Sequence, residues 1–141
     1  MQTESDVPMA DIRALLDKQA ISEALYTYCR AVDRVDRPLA YSIWHEDAQV
    51  DYGSIYKGTG RGVIDFICDS HLQGVVHSHQ ITNILIRLDG DRARSEAYVT
   101  SAMRTMIGGE LTQINTRGRY LDRWTRQDGR WLIEHRVFAH D

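Results

Sequence analysis

Asp33 and His79 are the two residues whose types could perform proton transfer. Asp33 lies near the end of a predicted amphipathic helix, and His79 lies near the start of a predicted strand. A carboxylate that accepts a hydrogen bond from one imidazole nitrogen fixes the tautomer of the ring and makes it more basic, so the other nitrogen can remove a proton. We therefore interpret the two residues as a candidate dyad in which His79 is the base.

His77 is an alternative base, because it lies two residues before His79 on the same strand face. Ile81 continues that face, so one or both histidines face a cavity if Ile81 faces the interior. We expect His77 otherwise to line the substrate cavity. Two histidines at this spacing could also bind a metal ion, but no third ligand has suitable spacing, so we expect no metal and no other cofactor.

Tyr28 lies five residues before Asp33, nearer the centre of the apolar stripe of the helix. Its phenol could donate a hydrogen bond to a leaving oxygen or to a developing oxyanion. Simple packing in the core is the alternative for this side chain.

The N-terminal half of the chain has the patterns of helices and one short strand. Apolar residues at helical spacing predict a helix from Met9 to about Val35, in which Asp17 caps a second segment after a small kink. A short helix, Pro38–Trp44, and a strand, Ala48–Gly53, should follow. Helical spacing then returns at Val63. These elements should lie beside the sheet that the second half predicts.

Four long strands with short turns occupy the C-terminal half, which predicts an antiparallel meander. Helices confined to the other half must cover one face of it. The predicted fold class is therefore α+β, with a curved sheet wrapped on N-terminal helices. The predicted strands are His77–Leu88, Arg92–Ile107, Glu110–Thr125 and Arg130–Phe138.

Length and composition limit the class of protein. The chain has 141 residues, 43% of them hydrophobic, and a net charge of -3. These values fit one domain, residues 9–141, after a loose lead-in of residues 1–8. No dense basic patch indicates a nucleic-acid partner, and no apolar run is long enough to span a membrane. Cys29 and Cys68 have no disulfide or metal spacing, so we expect a cytoplasmic protein.

Several short stretches, in this order and at these spacings, resemble the SnoaL-like branch of the nuclear transport factor 2-like superfamily. The resemblance spans nearly the whole chain and implies a cone-shaped barrel with an internal pocket. Within that branch the chain is most similar to hexachlorocyclohexane dehydrochlorinases, bile acid 7α-dehydratases and related lyases. The stretches include Gln19–Tyr26, Ala31–Asp33, Ser42–Ala48, Tyr56–Gly58, His79–Asn83, Leu88–Ala93 and Tyr120–Trp131.

The resemblance implies roles for individual residues. Asp33 and His79 match the dyad of the dehydrochlorinases, and Arg136 matches an arginine of that group. Tyr28 matches the tyrosine of the dehydratases, whose residues around the histidine otherwise differ from those here, so their substrate is not carried over. It implies a cofactor-independent lyase that eliminates a β group, typically water, from a small, mostly apolar, cyclic substrate. Arg136 would stabilise the leaving group or an enolate, with an exposed charge on the last strand as the alternative. The residues expected to line the substrate cavity are Tyr52, His77, Trp44 and Phe66, with packing in the core or at an oligomer face as the alternative for Trp44.

Other functions occur in the same fold. Ketosteroid isomerases carry an aspartate base on the early strand, where this chain has Asp51, but strand parity places Asp51 opposite Val50 and Tyr52. Polyketide cyclases use a similar first step, and the small subunit of ring-hydroxylating dioxygenases is a non-catalytic assembly module. The resemblance also implies a homodimer or homotrimer.

Overall fold

The computed structural model describes residues 6–141. Residues 1–5, most of the predicted lead-in, lie outside the described residues, and residues 6–8 form no helix or strand. The elements are α1 (Met9–Asp33), α2 (Arg37–Tyr41), β1 (Trp44–Asp51), β2 (Lys57–Thr59), α3 (Gly60–Leu72), β3 (Val76–Asp89), β4 (Arg92–Ile107), β5 (Glu110–Gln127) and β6 (Arg130–His140).

The strands form one curved, open sheet in the order β2-β1-β6-β5-β4-β3. The predicted meander of β3 to β6 is antiparallel throughout. β1 extends it by pairing with β6 in parallel, and β2 pairs with β1 antiparallel. With α1 against β3 and α3 against β1, the predicted α+β architecture is confirmed.

Helix α1 runs without interruption from Met9 to Asp33, so the prediction that Asp17 caps a second helical segment is wrong. The Asp17 carboxylate instead accepts hydrogen bonds from Arg126 Nη1 and Trp131 Nε1, each at 3.1 Å. These bonds hold the middle of α1 to β5 and β6. The apolar residues of α1 are buried only from Ile21 onward, and Leu16, one turn earlier, is exposed.

Helix α1 ends just before a residue in the left-handed conformation, which fixes where its last turn stops. Val35 has φ 58°, its N–H donates to Val32 O, and the N–H of Asp36 donates to Ala31 O at 2.8 Å. These two bonds form a Schellman motif, which stops the helix directly after Asp33. Asp36 then accepts a hydrogen bond from the N–H of Leu39 and so caps α2.

Trp44 belongs to β1, so the predicted helix Pro38–Trp44 is too long and the predicted strand Ala48–Gly53 begins too late. The end of this strand alternates as predicted. Val50 and Tyr52 are buried, and the side chain of Asp51 is 46% exposed.

Candidate active site

The structure brings Asp33 and His79 into contact where the end of α1 crosses β3. His79 Nδ1 lies 2.5 Å from Asp33 Oδ1, and the backbone N–H of His79 donates to Asp33 Oδ2 at 2.9 Å. Both carboxylate oxygens are thus held by one residue, which fixes the imidazole relative to the helix. In the neutral imidazole, the nitrogen that faces the carboxylate, Nδ1, carries the proton, and Nε2 is the acceptor. The two side chains are largely buried, with 9% of His79 and 21% of Asp33 exposed.

A cavity of about 370 Å³ lies beside this dyad, between α3 and the concave face of the sheet. Its volume suits a small molecule, and most of its wall is apolar or aromatic. Ile55 and Phe66 line it and are also well exposed, so they lie at its mouth. The residues that line the rest of the wall are Tyr52, Ile67, Ser70, Val75, His77, His79, Val99, Ser101, Met103, Ile114, Thr116, Tyr120 and Phe138.

The four residues expected to bind substrate lie in two places. Tyr52, His77 and Phe66 line the cavity, whereas Trp44 is buried in the core and is not part of the lining. Trp44 packs edge-on against Tyr28, with ring centroids 6.0 Å apart. Gly60 in α3 leaves room for Trp44 at this position, because a Cβ at residue 60 would lie 2.6 Å from the Trp44 ring.

Arg136 and Tyr28 are fully buried and do not line the cavity either. Arg136 donates from Nε and Nη2 to the two carboxylate oxygens of Asp122, at 2.7 and 2.9 Å. Its guanidinium centre lies 3.7 Å above the ring of Tyr120. Both members of this ion pair are shielded from solvent, and the pair is part of the core.

Tyr52 connects that buried pair to the cavity. Arg136 Nη1 donates to the Tyr52 hydroxyl at 3.3 Å, and the hydroxyls of Tyr52 and Tyr28 lie 2.9 Å apart. Burial raises the pKa of Tyr28 well above its ordinary value, so its phenol stays protonated. Arg136 and Tyr28 therefore act on the cavity through Tyr52, whose hydroxyl they orient and polarise, and both also contact the ring of Tyr120, another residue of the wall.

His77 has a second histidine as its partner. His77 Nδ1 lies 2.7 Å from Nε2 of His71, which is in the last turn of α3. The His77 ring also stacks on the His79 ring, with centroids 5.6 Å apart. The pKa of His77 is lowered to about 4, chiefly by burial and also by the neighbouring His71 and His79. Burial also lowers the pKa of His71. Both rings are therefore neutral at pH 7.

Asp51 lies outside this arrangement. Its carboxylate accepts the N–H of Gly53 at 2.8 Å, and Lys57 Nζ lies 4.0 Å away. A base of the ketosteroid isomerase kind is thus not directed into the cavity from this strand.

Three residues of the site have no counterpart in the sequence-based expectations: His71, Tyr120 and Asp122. The register of the last hairpin could have suggested Asp122, because β5 and β6 pair Asp122 with Arg136. No comparable signal existed for His71, whose contact with His77 depends on the turn between α3 and β3.

Within residues 6–141, no three or more His, Cys, Asp or Glu side chains are grouped so as to hold a metal ion. In the same residues, no helix is long and apolar enough to cross a membrane.

A curved sheet, covering helices and an internal cavity with a histidine–aspartate pair define an NTF2-like α+β protein of the SnoaL-like kind. The model of the SnoaL-like domain matches residues 13–137, so the chain belongs to that family. No curated protein gives a significant match to the sequence.

Solved structures share the fold at low sequence identity. A putative scytalone dehydratase from Novosphingobium aromaticivorans has a TM-score of 0.81 and 22% identity, over 94% of this chain and 89% of that one. A type 2 hexachlorocyclohexane dehydrochlorinase, LinA, has a TM-score of 0.81 and 19% identity, over 93% and 89%. A protein of unknown function from Mycobacterium tuberculosis has a TM-score of 0.76 and 22% identity, over 97% and 78%. The structural neighbours thus include lyases and proteins without a known activity.

Proposed function

We propose that this protein is a cofactor-independent lyase that removes water, or a similar β group, from a small, mostly apolar, cyclic substrate. The observation that carries the proposal is the contact of 2.5 Å between His79 Nδ1 and Asp33 Oδ1 at the wall of an apolar cavity. The dehydratase and dehydrochlorinase among the structural neighbours support the same class of reaction.

In the proposed reaction, His79 Nε2 removes a proton from a carbon of the substrate. Asp33 holds the ring in place and stabilises the imidazolium that forms. The electron pair of the broken C–H bond forms the double bond, and the group on the neighbouring carbon departs with its own electron pair. A departing hydroxyl takes the proton from the His79 imidazolium and leaves as water, which returns Nε2 to its unprotonated form. Tyr52, oriented by Arg136 and Tyr28, donates a hydrogen bond to the oxygen of the leaving group, on which negative charge develops.

Isomerisation and aldol-type cyclisation begin with the same proton abstraction, so they are the second enzymatic candidate. The exposed position of Asp51 argues against an isomerase that uses that residue as its base. A purely structural module would not need a buried histidine–aspartate pair beside a cavity of this size.

The experiment follows proton abstraction and elimination separately on a panel of cyclic ketones with a β-hydroxyl group. Exchange of the acidic C–H in D₂O, measured by NMR, reports the base, and the absorbance of the conjugated enone reports elimination. We expect His79→Gln and Asp33→Asn each to lower both rates by about 10²- to 10⁴-fold, the usual contribution of a positioned base.

His135→Gln is the matched control, because His135 lies on the other face of the sheet. Unfolding midpoints of all variants should remain close to that of the unmodified protein. Full turnover by both dyad variants would exclude the proposed mechanism. Exchange without enone formation would favour isomerisation or cyclisation over elimination.

A further inference from the structure

His77 and His71 form an imidazole pair that the proposed reaction does not yet use. The two rings are joined by a hydrogen bond of 2.7 Å, with centroids 4.6 Å apart. His77 lines the cavity next to His79, whereas His71 lies behind it on α3 and is not part of the lining. The groups that face the pair are Asp33 from α1 and His79 from β3.

A hydrogen bond between two neutral imidazoles has one donor, so the pair has two possible arrangements. If His71 Nε2–H donates to His77 Nδ1, the proton of His77 is on Nε2, and His77 is a donor toward the cavity. In the reverse arrangement, Nε2 of His77 is an acceptor. Nε2 of His79 is already an acceptor, because Nδ1 of that ring is bonded to Asp33. The reverse arrangement would thus set two acceptors side by side, whereas the first sets a donor beside a base.

The geometry points to His77 as a neutral hydrogen-bond donor that binds a carbonyl oxygen of the substrate, with His71 as the positioning residue that fixes its tautomer. This inference rests on the proposed function, and it narrows the substrate class to compounds with a carbonyl next to the carbon that His79 deprotonates. A substrate that lacks oxygen would leave the His77 donor unpaired in a largely apolar cavity, which is costly.

The proposed step balances without a cofactor. His79 Nε2 takes the proton, the C–H bond breaks, and its electron pair moves toward the carbonyl oxygen to form an enolate. The Nε2–H of His77 donates to that oxygen and keeps its proton. The carbonyl then re-forms as the β group leaves with its electron pair, and a departing hydroxyl takes the proton from the His79 imidazolium to leave as water. A neutral imidazole suits this role because its proton stays in place as a donor while the negative charge develops.

The tautomer of His77 is the first test, and it needs no substrate. Long-range ¹H–¹⁵N NMR on the uniformly labelled protein at pH 7 distinguishes Nε2–H from Nδ1–H for each ring. We expect Nε2–H at His77 in the unmodified protein and in His71→Gln, whose amide can donate to Nδ1. We expect Nδ1–H in His71→Glu, whose carboxylate can only accept. An unprotonated Nε2 at His77 in the unmodified protein would overturn the inference.

The second test uses 4-nitrophenolate as a probe of oxyanion binding and nitrobenzene as its counterpart without the oxygen. His77→Phe keeps an aromatic ring at the site and removes the donor. We expect it to bind 4-nitrophenolate about tenfold more weakly than the unmodified protein, the usual worth of one hydrogen bond to a charged group. Nitrobenzene binding should not change, and His135→Gln should alter neither affinity.

The inference would be overturned if the unmodified protein and His77→Phe bound 4-nitrophenolate with equal affinity. It would also be overturned if neither of these proteins bound 4-nitrophenolate. Neither test depends on turnover. A failure of the proposed lyase activity would therefore show in the exchange and enone experiments, and a failure of the His77 assignment would show here.

Discussion

Among the single residues, the buried ion pair of Arg136 and Asp122 determines which groups the guanidinium contacts. The guanidinium is fully enclosed, and a carboxylate and three aromatic rings surround it. Removing two charges from water is expensive, and a bidentate ion pair of this geometry offsets that cost. The same pair directs one remaining N–H at Tyr52, so a structural feature of the core also polarises the cavity wall.

Arg136→Met should therefore lower the free energy of unfolding by about 3–5 kcal/mol, because it leaves the Asp122 carboxylate buried without a partner. Replacing both residues, with Arg136→Met and Asp122→Leu, should recover most of that loss, since no buried charge then remains. Urea denaturation of the three proteins measures both effects. A double variant as unstable as the single one would contradict this account of the pair.

Residue types indicated which groups could do chemistry, but packing decided which of them touch the cavity. Asp33 and His79 were identifiable because a carboxylate and an imidazole form a recognisable functional pair. Tyr28 and Arg136 were expected at the substrate, yet they lie one layer behind it. The sequence does not indicate that these two residues lie behind the cavity wall. Their position depends on how the rings of Tyr28, Tyr52 and Tyr120 pack around the guanidinium.

At the scale of elements, two bulges set which side chains face the cavity. The pairing of β3 with β4 shifts between Thr82 and Leu85, where Asn83 has φ 52°. His77 and Ile81 lie on the inner face before this shift, and Ile86 lies there after it. An asparagine tolerates positive φ better than most residues, so Asn83 suits a bulge that keeps apolar residues inward along a long strand.

The second bulge explains why simple alternation mispredicts β6. The pairing of β5 with β6 shifts between Arg123 and Trp124, so Ile133 and Arg136 are both buried although their positions differ in parity. Alternation continued from Ile133 would have placed His135 inward and Arg136 outward. The turns at Gly108-Gly109 and Asp128-Gly129 were readable because positive φ at both positions favours such pairs. The bulge within β6 has no comparable signal.

The end of α1 offers a test at the same scale. Val35 occupies the left-handed position of the Schellman motif, where a residue with a Cβ is strained by about 1–2 kcal/mol. Val35→Gly should relieve this strain and raise the free energy of unfolding by about 1 kcal/mol, after the greater flexibility of glycine in the unfolded chain is subtracted. Thermal and urea denaturation provide the measurement. Val35→Ala, which keeps the Cβ, is the control and should not stabilise the protein.

At the scale of the whole molecule, the sheet joins sequence-distant segments that local patterns do not connect. The meander was predictable because each of its hairpins is local. The parallel pairing of β1 with β6 links strands separated by most of the chain, and it places Tyr52 next to Arg136. Parallel strands are not joined by a short turn, so the sequence gives no local signal of this pairing. The overall topology therefore brings together Tyr52 and Arg136, a contact that residue patterns alone did not predict.

A homodimer or homotrimer remains a prediction at this scale. The outer face of the sheet carries apolar side chains with high exposure, among them Leu85, which is 68% exposed. Light scattering coupled to size-exclusion chromatography measures the molar mass directly, and we expect two or three times the 16.2 kDa of one chain. A single-chain mass at every concentration tested would contradict the expectation.

The buried histidines should make the stability of the whole protein depend on pH. The pKa of His77 falls from its ordinary 6.5 to about 4 on folding, chiefly because of burial. Between these values the unfolded chain binds a proton at this residue that the folded chain does not, so acid favours unfolding. His71 acts in the same direction. The free energy of unfolding should therefore rise as pH increases from 4 to 6.5 and then stop changing on account of these two groups. Urea denaturation at a series of pH values should show a smaller slope in this window for His77→Phe than for the unmodified protein. An unchanged slope in His77→Phe would mean that His77 titrates alike in both states, and that its ring is not held neutral by the fold.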